Sequence, residues 1–357
     1  MGAEALSGCG LRADGPMVLS APRTRSFRLI PALVNSLVVP PLIALLISTG
    51  VLAILMRSRA AMLALDHPNE RSLHTTPRPR LGGVGILAGT AIAWGYATPS
   101  LHPLMLLALT LLISVSLLDD LRGVSVVWRL LIHVAAALLA VSALLHGREW
   151  WQIGIAALAT AWMINLYNFM DGSDGLAGGM AVIGFGDYGV AALIGGDISF
   201  AALNLAVATA SLGFLVFNFP PSRIFMGDGG AIPLGFLAAV FNVTGWTRGD
   251  WPLWFGIAIF SPFIVDASLT LIKRVLRGAR PWQAHREHYY QRLVRGGWSH
   301  RRTAYAEYAL MLTCGVVSIC AINRTPLAQA SLAGVLALLY LILIIAIERR
   351  FALHAQA

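Results

Sequence analysis

Stretches of about 20 mostly apolar residues recur along almost the whole of this 357-residue chain. A helix of that length and composition spans the hydrocarbon core of a bilayer. Charged residues make up only 12% of the sequence, roughly half of what a soluble domain carries, and 57% of the residues are hydrophobic. The composition therefore predicts an all-α, polytopic membrane protein and excludes a soluble core with a single anchor.

Apolar length and helix-breaking residues place eleven predicted spans. Their approximate limits are 36–56, 83–98, 102–118, 129–146, 150–166, 176–194, 199–217, 231–247, 252–272, 304–322 and 327–347. We predict one integral-membrane domain over residues 36–350. A loosely ordered N-terminal extension (1–35) precedes it, and a short cytoplasmic tail (351–357) follows it.

Basic residues are distributed unequally between the two sets of loops in this arrangement. One set holds eighteen arginines and one lysine, whereas the other holds only Arg148, Arg248 and Arg324. The positive-inside rule makes the richer side cytoplasmic. The N-terminus is then expected outside and the C-terminus in the cytoplasm. Four arginines of the N-terminal extension conflict with this orientation, but the asymmetry of the loops outweighs them.

Acidic and histidine residues concentrate in five loops on the predicted cytoplasmic side. These loops read "DHPNERSLHTTPRPRLGG", "LLDDLRG", "NFMDGSDGLAGG", "FMGDGG" and "HREHYYQRL". Exclusion of acids from the spans explains part of this pattern, but not the adjacent pair Asp119–Asp120 directly after an apolar run. Neighbouring carboxylates at a membrane edge repel each other, and a divalent cation or an arginine relieves that repulsion. We therefore expect the five loops to form the walls of one site.

The residue types in these loops favour a magnesium–phosphate site. Carboxylates that leave positions open for substrate phosphates are the usual arrangement around Mg²⁺. Asp171 and Asp174 are three residues apart and would face one way if the next span is already helical there. The surrounding glycines let the backbone approach a phosphate or a nucleotide. The arginines that border these acids suit a diphosphate and a lipid phosphate, and they are Arg71, Arg78, Arg80, Arg286 and Arg292. Contact with anionic lipids is the competing interpretation of these arginines.

Four of these stretches together resemble a known family. "DDLRG", "NLYNFMDGSDGLAGG", "RIFMGDGGAIPLGF" and "AHREHYYQRL" occur in the order and at the spacing of the polyprenyl-phosphate N-acetylhexosamine-1-phosphate transferases. The resemblance extends from about Asp66 to the end of the chain. It implies an all-helical membrane bundle that transfers N-acetylhexosamine-1-phosphate from a UDP-sugar to undecaprenyl phosphate and releases UMP. The family requires Mg²⁺, for which Mn²⁺ is an alternative.

The resemblance also implies roles for individual residues. Asp119 and Asp120 match paired aspartates near the lipid phosphate, one of which acts as a base or a nucleophile, and the sequence leaves that choice open. The expected metal ligands are Asp228 and, less centrally, Asp171. The positions that match the uridine pocket of the family are Asn168, Asp174 and Phe225. The histidines that match the contact with the diphosphate are His285 and His288. Arg71 and Arg286 are the arginines expected to bind substrate.

The histidine loop separates two branches of that family. It carries two histidines here, whereas the peptidoglycan enzymes have a run of three, so the sequence is more similar to the O-antigen and exopolysaccharide initiators. A peptidoglycan-type phospho-muramoyl-pentapeptide transferase remains the alternative. The expected location is the bacterial inner membrane with the site facing the cytoplasm. The expected partners are the UDP-sugar, undecaprenyl phosphate and membrane lipids, with no nucleic acid and with a homodimer left open.

Two other classes of protein share single features with this sequence. "GFGD" at 184–187 matches part of an intramembrane aspartyl protease motif, but the preceding span has no second aspartate. A secondary transporter would carry repeated halves and polar groups near the bilayer midplane, and no internal repeat is evident. Asp266 is one of few acids within a predicted span, and either lies at the floor of the site or pairs with an arginine.

Overall fold

A computed structural model of the chain describes residues 35–62, 64–66, 68, 76–98, 100–280, 283 and 285–354. Apart from Asn35, the predicted N-terminal extension (1–35) lies outside the described residues, as do the last three residues of the predicted tail. The described part is almost wholly helical, and its one sheet has two short strands. This confirms the predicted all-α membrane bundle.

Thirteen α-helices occur in the described residues, together with a 3-10 turn at Arg59–Met62. They are α1 (Val39–Arg57), α2 (Gly82–Ala97), α3 (Pro103–Arg122), α4 (Val126–Leu144), α5 (Trp150–Phe169), α6 (Leu176–Gly195), α7 (Ile198–Asn218), α8 (Asp228–Arg248), α9 (Trp254–Ile259), α10 (Ser261–Leu276), α11 (Tyr289–Arg295), α12 (His300–Ala321) and α13 (Pro326–His354). Strands β1 (Leu65–Asp66) and β2 (Arg78–Pro79) pair antiparallel. Each predicted span therefore coincides with helix, and α11 is an additional short helix in the last loop.

Eight helices of the described chain are long and apolar enough to cross a membrane: α1, α3, α4, α6, α7, α8, α12 and α13. The α2 helix is apolar but shorter, with 16 residues. The α13 helix continues to His354, past the boundary at 350 that the sequence predicted for the membrane domain. The orientation of the bundle in the membrane stays a prediction from the loop charges.

The predicted span 252–272 is two helices, α9 and α10, that meet at Phe260. Pro262 lies in the first turn of α10 and has no backbone N–H to donate to the Ala258 carbonyl four residues earlier. The Ser261 hydroxyl donates to that carbonyl instead, at 2.6 Å. The proline thus breaks the helix, and the serine satisfies the oxygen that the break exposes.

The α8 helix is the centre of the bundle, since 89% of the residues in its most apolar 18-residue stretch are buried. Gly235 lets α8 approach α5 closely: a Cβ at this position would lie 2.8 Å from the Met163 carbonyl oxygen. Small residues at such crossings are what permit membrane helices to pack backbone against backbone. This packing fixes where the N-terminus of α8, at Asp228, points.

The chain that leads into α8 is held between β2 and α2. The Phe225 amide donates to the Pro79 carbonyl at 2.8 Å, and the Gly82 amide donates back to the Phe225 carbonyl at 2.8 Å. A Cβ on Gly83 would lie 2.3 Å from the Gly230 nitrogen, so only glycine fits at this contact. The "MGDGG" turn is therefore clamped against the start of α2.

Candidate active site

Seven of the predicted site residues line one cleft of about 850 Å³: Asn168, Asp171, Asp174, Phe225, Asp228, His285 and His288. The cleft lies where α4, α5 and α10 meet the loops that precede α6, α8 and α11. Asp119 and Asp120, at the end of α3, adjoin the cleft through contacts with Asp228. The structure therefore brings together nine of the eleven residues that the sequence singled out.

Asp119 is oriented by the turn between α3 and α4. Gly123, with φ 71°, reverses the chain, and the Val124 amide donates to the Asp119 carboxylate at 2.5 Å. The Arg129 guanidinium forms an ion pair with Asp119 and donates to Asp228 Oδ2 at 2.9 Å. Arg129 thus bridges two acids that are 109 positions apart in the sequence.

Asp120 caps the N-terminus of α8. Its carboxylate accepts hydrogen bonds from the backbone amides of Asp228, at 3.2 Å, and Gly229, at 2.9 Å. The first amides of a helix have no partner within the helix and favour a negative charge. A Cβ on Gly227 would lie 3.0 Å from Asp120 Oδ2, which explains why glycine precedes Asp228. The two adjacent aspartates therefore have different surroundings.

Asp171 is the least satisfied carboxylate of the cleft. Within the described residues its side chain accepts no hydrogen bond, although part of it remains exposed to the cleft. Burial, with the nearby negative charges of Asp228 and Asp120, raises the pKa of Asp171 well above its usual range. A positive charge bound beside it would reverse this effect.

The acids of the cleft fit a divalent cation that shares substrate phosphates. The cleft brings four carboxylates close to two arginines: Arg129 pairs with Asp119 and Asp228, and Arg80 lies near Asp120, Asp171 and Asp228, so negative charge is in excess. The described residues contain no group of three or more acid, histidine or cysteine side chains placed to hold an ion alone. Mg²⁺ typically needs only one or two carboxylates, because water and phosphate oxygens complete its octahedron. The residues present fit that mode of binding.

Asp174 is tied into the wall of the cleft. It accepts hydrogen bonds from the Ser222 amide at 3.0 Å and the Ser222 hydroxyl at 2.9 Å, and pairs with Arg78 at 3.3 Å. The Arg78 guanidinium lies over the Phe225 ring, 5.4 Å from its centroid. Since α6 begins only at Leu176, Asp171 and Asp174 lie in a loop and not on one helical face. Their common orientation toward the cleft comes from the loop and not from helical periodicity.

His288 is fixed beneath the cleft by Asp266 of α10. Its Nδ1 lies 3.3 Å from Asp266 Oδ1, and its ring stacks on those of Phe169 and Tyr290. Asp266 also accepts the backbone amides of Tyr289, at 2.8 Å, and Tyr290, at 3.0 Å. Asp266 is buried and does not line the cleft itself, but it holds the segment that presents His288 there, and it forms no ion pair with an arginine among the described residues.

His285 lies beside His288, with 4.8 Å between the ring centroids. Burial, together with the neighbouring His288 and Arg274, lowers the pKa of His285 to about 4. Its imidazole is therefore neutral at physiological pH. A neutral ring can donate or accept one hydrogen bond at a phosphate oxygen.

Two predicted substrate-binding arginines are not in the cleft as described. Arg71 lies outside the described residues. Arg286 lines a different cavity, of about 480 Å³. Arg286 therefore does not border the aspartates of the cleft, and neither does Arg292, because side chains of the non-helical segment 285–288 point to both sides. The expected contact of Arg286 with substrate stays a prediction.

Sequence reasoning missed Arg129 and did not assign Asp266. Arg129 follows Asp120 by nine residues, in the first turn of the helix that begins after the short connection 123–125. Arg80, in contrast, is one of the arginines that the sequence predicted to border the acids, and it lines the cleft and forms an ion pair with Asp66. The sequence does hold a signal for Arg129. An arginine at the start of a helix is close enough to pair with an acid at the end of the preceding helix when only a short turn connects them.

Comparison with known proteins places this geometry in a family. Residues 102–246 match the model of glycosyl transferase family 4. A probable undecaprenyl-phosphate N-acetylglucosaminyl 1-phosphate transferase of Bacillus subtilis is 30% identical over 300 residues, which cover 77% of this chain and 82% of the relative. The chain belongs to glycosyl transferase family 4. This membership opposes both the transporter and the protease interpretations of the sequence.

Other members of glycosyl transferase family 4 are similar over comparable lengths. A decaprenyl-phosphate N-acetylglucosaminephosphotransferase of Mycobacterium tuberculosis is 27% identical over 305 residues, covering 71% of this chain and 74% of the relative. A phospho-N-acetylmuramoyl-pentapeptide-transferase of Moorella thermoacetica is 27% identical over 312 residues, covering 79% and 96%. The relatives therefore include, by name, both N-acetylglucosamine-phosphate transferases and a phospho-N-acetylmuramoyl-pentapeptide-transferase.

Proposed function

We propose that this protein transfers N-acetylhexosamine-1-phosphate from a UDP-sugar to undecaprenyl phosphate at the cytoplasmic face of the bacterial inner membrane. The product is a lipid-linked sugar diphosphate that starts a cell-envelope glycan, and UMP is released. The observation that carries the proposal is the convergence of Asp119, Asp171 and Asp228, from three separate segments, on one cleft.

The cleft suits a substrate with a charged end and an apolar chain. The wall formed by α4, α5 and α10 is apolar, with Val126, Leu130, Leu158, Trp162 and Leu271. Leu130 and Leu158 are 50% and 66% exposed on the bundle surface, where lipid would lie. A polyprenyl chain can extend along this wall while its phosphate reaches the acids. The relatives from Bacillus subtilis and Mycobacterium tuberculosis are named for undecaprenyl phosphate and decaprenyl phosphate, respectively.

The reaction we propose is a displacement at phosphorus. An oxygen of the lipid phosphate attacks the β-phosphorus of the UDP-sugar, a new P–O bond forms, and the bond to the UMP oxygen breaks. Such transfers depend on positioning and on neutralising charge more than on covalent chemistry. A bound Mg²⁺ would neutralise the diphosphate, and Asp228 and Asp171 are the residues that would hold it.

Asp119 is the better candidate for contact with the lipid phosphate. Asp120 uses its carboxylate to cap α8, whereas Asp119 contacts Asp228 and Arg129 next to the cleft. In this arrangement Asp119 holds or deprotonates the attacking phosphate. Arg129 compensates the charge that accumulates there, and the neutral His285 hydrogen-bonds the diphosphate.

The test is to incubate purified protein with undecaprenyl phosphate, Mg²⁺ and a panel of UDP-sugars, and to measure UMP. We expect release with one UDP-N-acetylhexosamine, and only when the lipid phosphate is present. The panel includes UDP-N-acetylmuramoyl-pentapeptide, so turnover of that compound alone would identify the peptidoglycan branch. Absence of UMP with every sugar, from protein that remains folded, would contradict the proposal.

A further inference from the structure

A second cavity, of about 480 Å³, lies on the opposite side of the histidine segment from the cleft. Five basic side chains line it: Lys273, Arg277, Arg286, Arg292 and Arg295. The only acids among its described lining residues are Glu287 and Glu348. The cavity therefore has an excess of three positive charges. Lys273 is also the only lysine of the chain.

The basic side chains are held by a fixed framework. Glu348 of α13 accepts hydrogen bonds from Arg292 at 2.7 and 2.9 Å and from Lys273 at 2.8 Å. The Tyr289 hydroxyl accepts from Lys273 at 2.6 Å and donates to Glu348 at 3.0 Å. One carboxylate thus orients two of the cations that line the cavity. Preorganised donors of this kind lose little entropy when an anion binds.

The cavity lies at the edge of the membrane-embedded bundle. It is formed where α10 ends, at Leu276, and where the long apolar helix α13 reaches Glu348 and Phe351. The outer face of α10 beside it is apolar and exposed: Ile272 is 55% exposed, and Leu276 is 81% exposed. An acyl chain could pack on this face while a charged headgroup enters the cavity.

We propose that this cavity binds the phosphate group of an anionic ligand at the membrane edge, either the headgroup of an acidic phospholipid or a soluble phosphate. Guanidinium groups present several parallel donors to phosphate oxygens, and an ammonium adds a point charge. Basic pockets between helices at a membrane surface are the usual sites for acidic headgroups. No part of this proposal requires the transferase activity.

Binding there would act on the histidine segment directly. His285, His288 and Tyr290 face the cleft, whereas Arg286, Glu287 and Tyr289 face the second cavity. Glu287 is already paired with Arg274 and Arg277 at the end of α10. A ligand that bridges these cations therefore restrains the same six residues that present the histidines to the cleft.

The test compares two double variants. The cavity variant combines Arg277→Gln with Arg295→Gln and so removes two positive charges from the cavity. Among described groups, Arg295 donates a hydrogen bond only to the Arg286 carbonyl. Arg277 donates to Glu287 and to the Lys273 carbonyl. Arg59→Gln with Arg223→Gln is the matched control, because both arginines are exposed, lie outside the cavity and are on the same predicted side. Each protein is purified in a neutral detergent, and its own melting temperature without ligand serves as the baseline.

The measurement is the shift in melting temperature during titration with dihexanoylphosphatidylglycerol, dihexanoylphosphatidylcholine or inorganic phosphate. We expect a saturable rise of a few degrees with the acidic lipid in wild type and control, and a several-fold weaker apparent affinity in the cavity variant. No comparable rise is expected with phosphatidylcholine. A rise that phosphate alone reproduces identifies a soluble source of the same anion. Equal responses to acidic and zwitterionic lipid, or equal responses of the two double variants, would overturn the proposal.

Discussion

The carboxylate of Asp120 caps the helix that begins at Asp228, accepting its backbone amide at 3.2 Å. An acid that the sequence paired with Asp119 as a catalytic residue thus holds another site residue in place. The cap also accepts the Gly229 amide at 2.9 Å, so it fixes the direction in which α8 enters the cleft. Because the two adjacent aspartates have different contacts, substitution of Asp120 should affect mainly stability, and substitution of Asp119 mainly activity.

Replacing Asp120 should mainly affect stability. Asp120→Ala removes the cap and should lower the free energy of unfolding by about 1 kcal/mol, whereas Asp120→Asn keeps an acceptor and should lower it by less. Stability is measured by thermal unfolding in detergent. UMP release is then measured separately, at a temperature where both variants are folded. An alanine variant as stable as the wild-type protein would show that the cap contributes nothing.

Replacing Asp119 or Asp228 should abolish turnover without unfolding the protein. Asp119→Asn and Asp228→Asn are expected to reduce UMP release by a factor of about 100 or more, because each removes a charge at the reacting phosphates. Asp197→Asn is the matched control, since Asp197 is also in an ion pair, with Arg248, but is remote from the cleft. Wild-type-like release by either cleft variant would argue against the proposed roles.

Asp266 should act by positioning His288. Asp266→Asn is expected to lower kcat by roughly 10- to 100-fold with little change in KM, the usual effect of losing a partner that orients a functional side chain. The double variant with His288→Gln should be no worse than His288→Gln alone, because both changes disrupt the same contact. Fully additive losses would mean that Asp266 stabilises the fold independently of the histidine.

The pH dependence of stability should carry the signature of His285. Its pKa is lowered to about 4 in the folded protein, whereas an unfolded histidine titrates near 6.5. Between these values the unfolded chain binds the proton that the folded protein excludes, so this group reduces stability as pH falls from about 6.5 through 4. His285→Gln should therefore lose less melting temperature than wild type over that range. Parallel pH profiles for the two proteins would contradict the expected shift.

Much of the site was predictable because its residues belong to compact motifs. "NFMDGSDGLAGG" and "FMGDGG" each carry an acid beside glycines, and the structure places both at one cleft. The helical bundle followed from apolar lengths alone. These inferences needed only local sequence, because a membrane span and a glycine-rich turn are both specified by neighbouring residues.

What the sequence did not reveal depends on contacts between distant residues. Arg129 reaches Asp228 only because α3, α4 and α8 pack together, and no spacing along the chain encodes that contact. The sequence could not show that Arg286 and His285 line different cavities, because an irregular segment has no periodicity from which side-chain direction can be read. Pro262 is the sequence signal for the helix break at Phe260. The sequence nevertheless predicted one continuous span there, because Pro262 lies within an uninterrupted apolar run.

The central claim is that Asp171, in the loop before α6, and Asp228, at the start of α8, hold one divalent cation together with the substrate diphosphate. The most direct measurement is the binding of Mn²⁺, as a paramagnetic substitute for Mg²⁺, followed by electron paramagnetic resonance with the UDP-sugar present. Asp171→Asn and Asp228→Asn should each weaken binding by a factor of ten or more, whereas Asp174→Asn should not, because that carboxylate is occupied by Arg78 and Ser222. Undiminished binding in both Asp171→Asn and Asp228→Asn would contradict the claim.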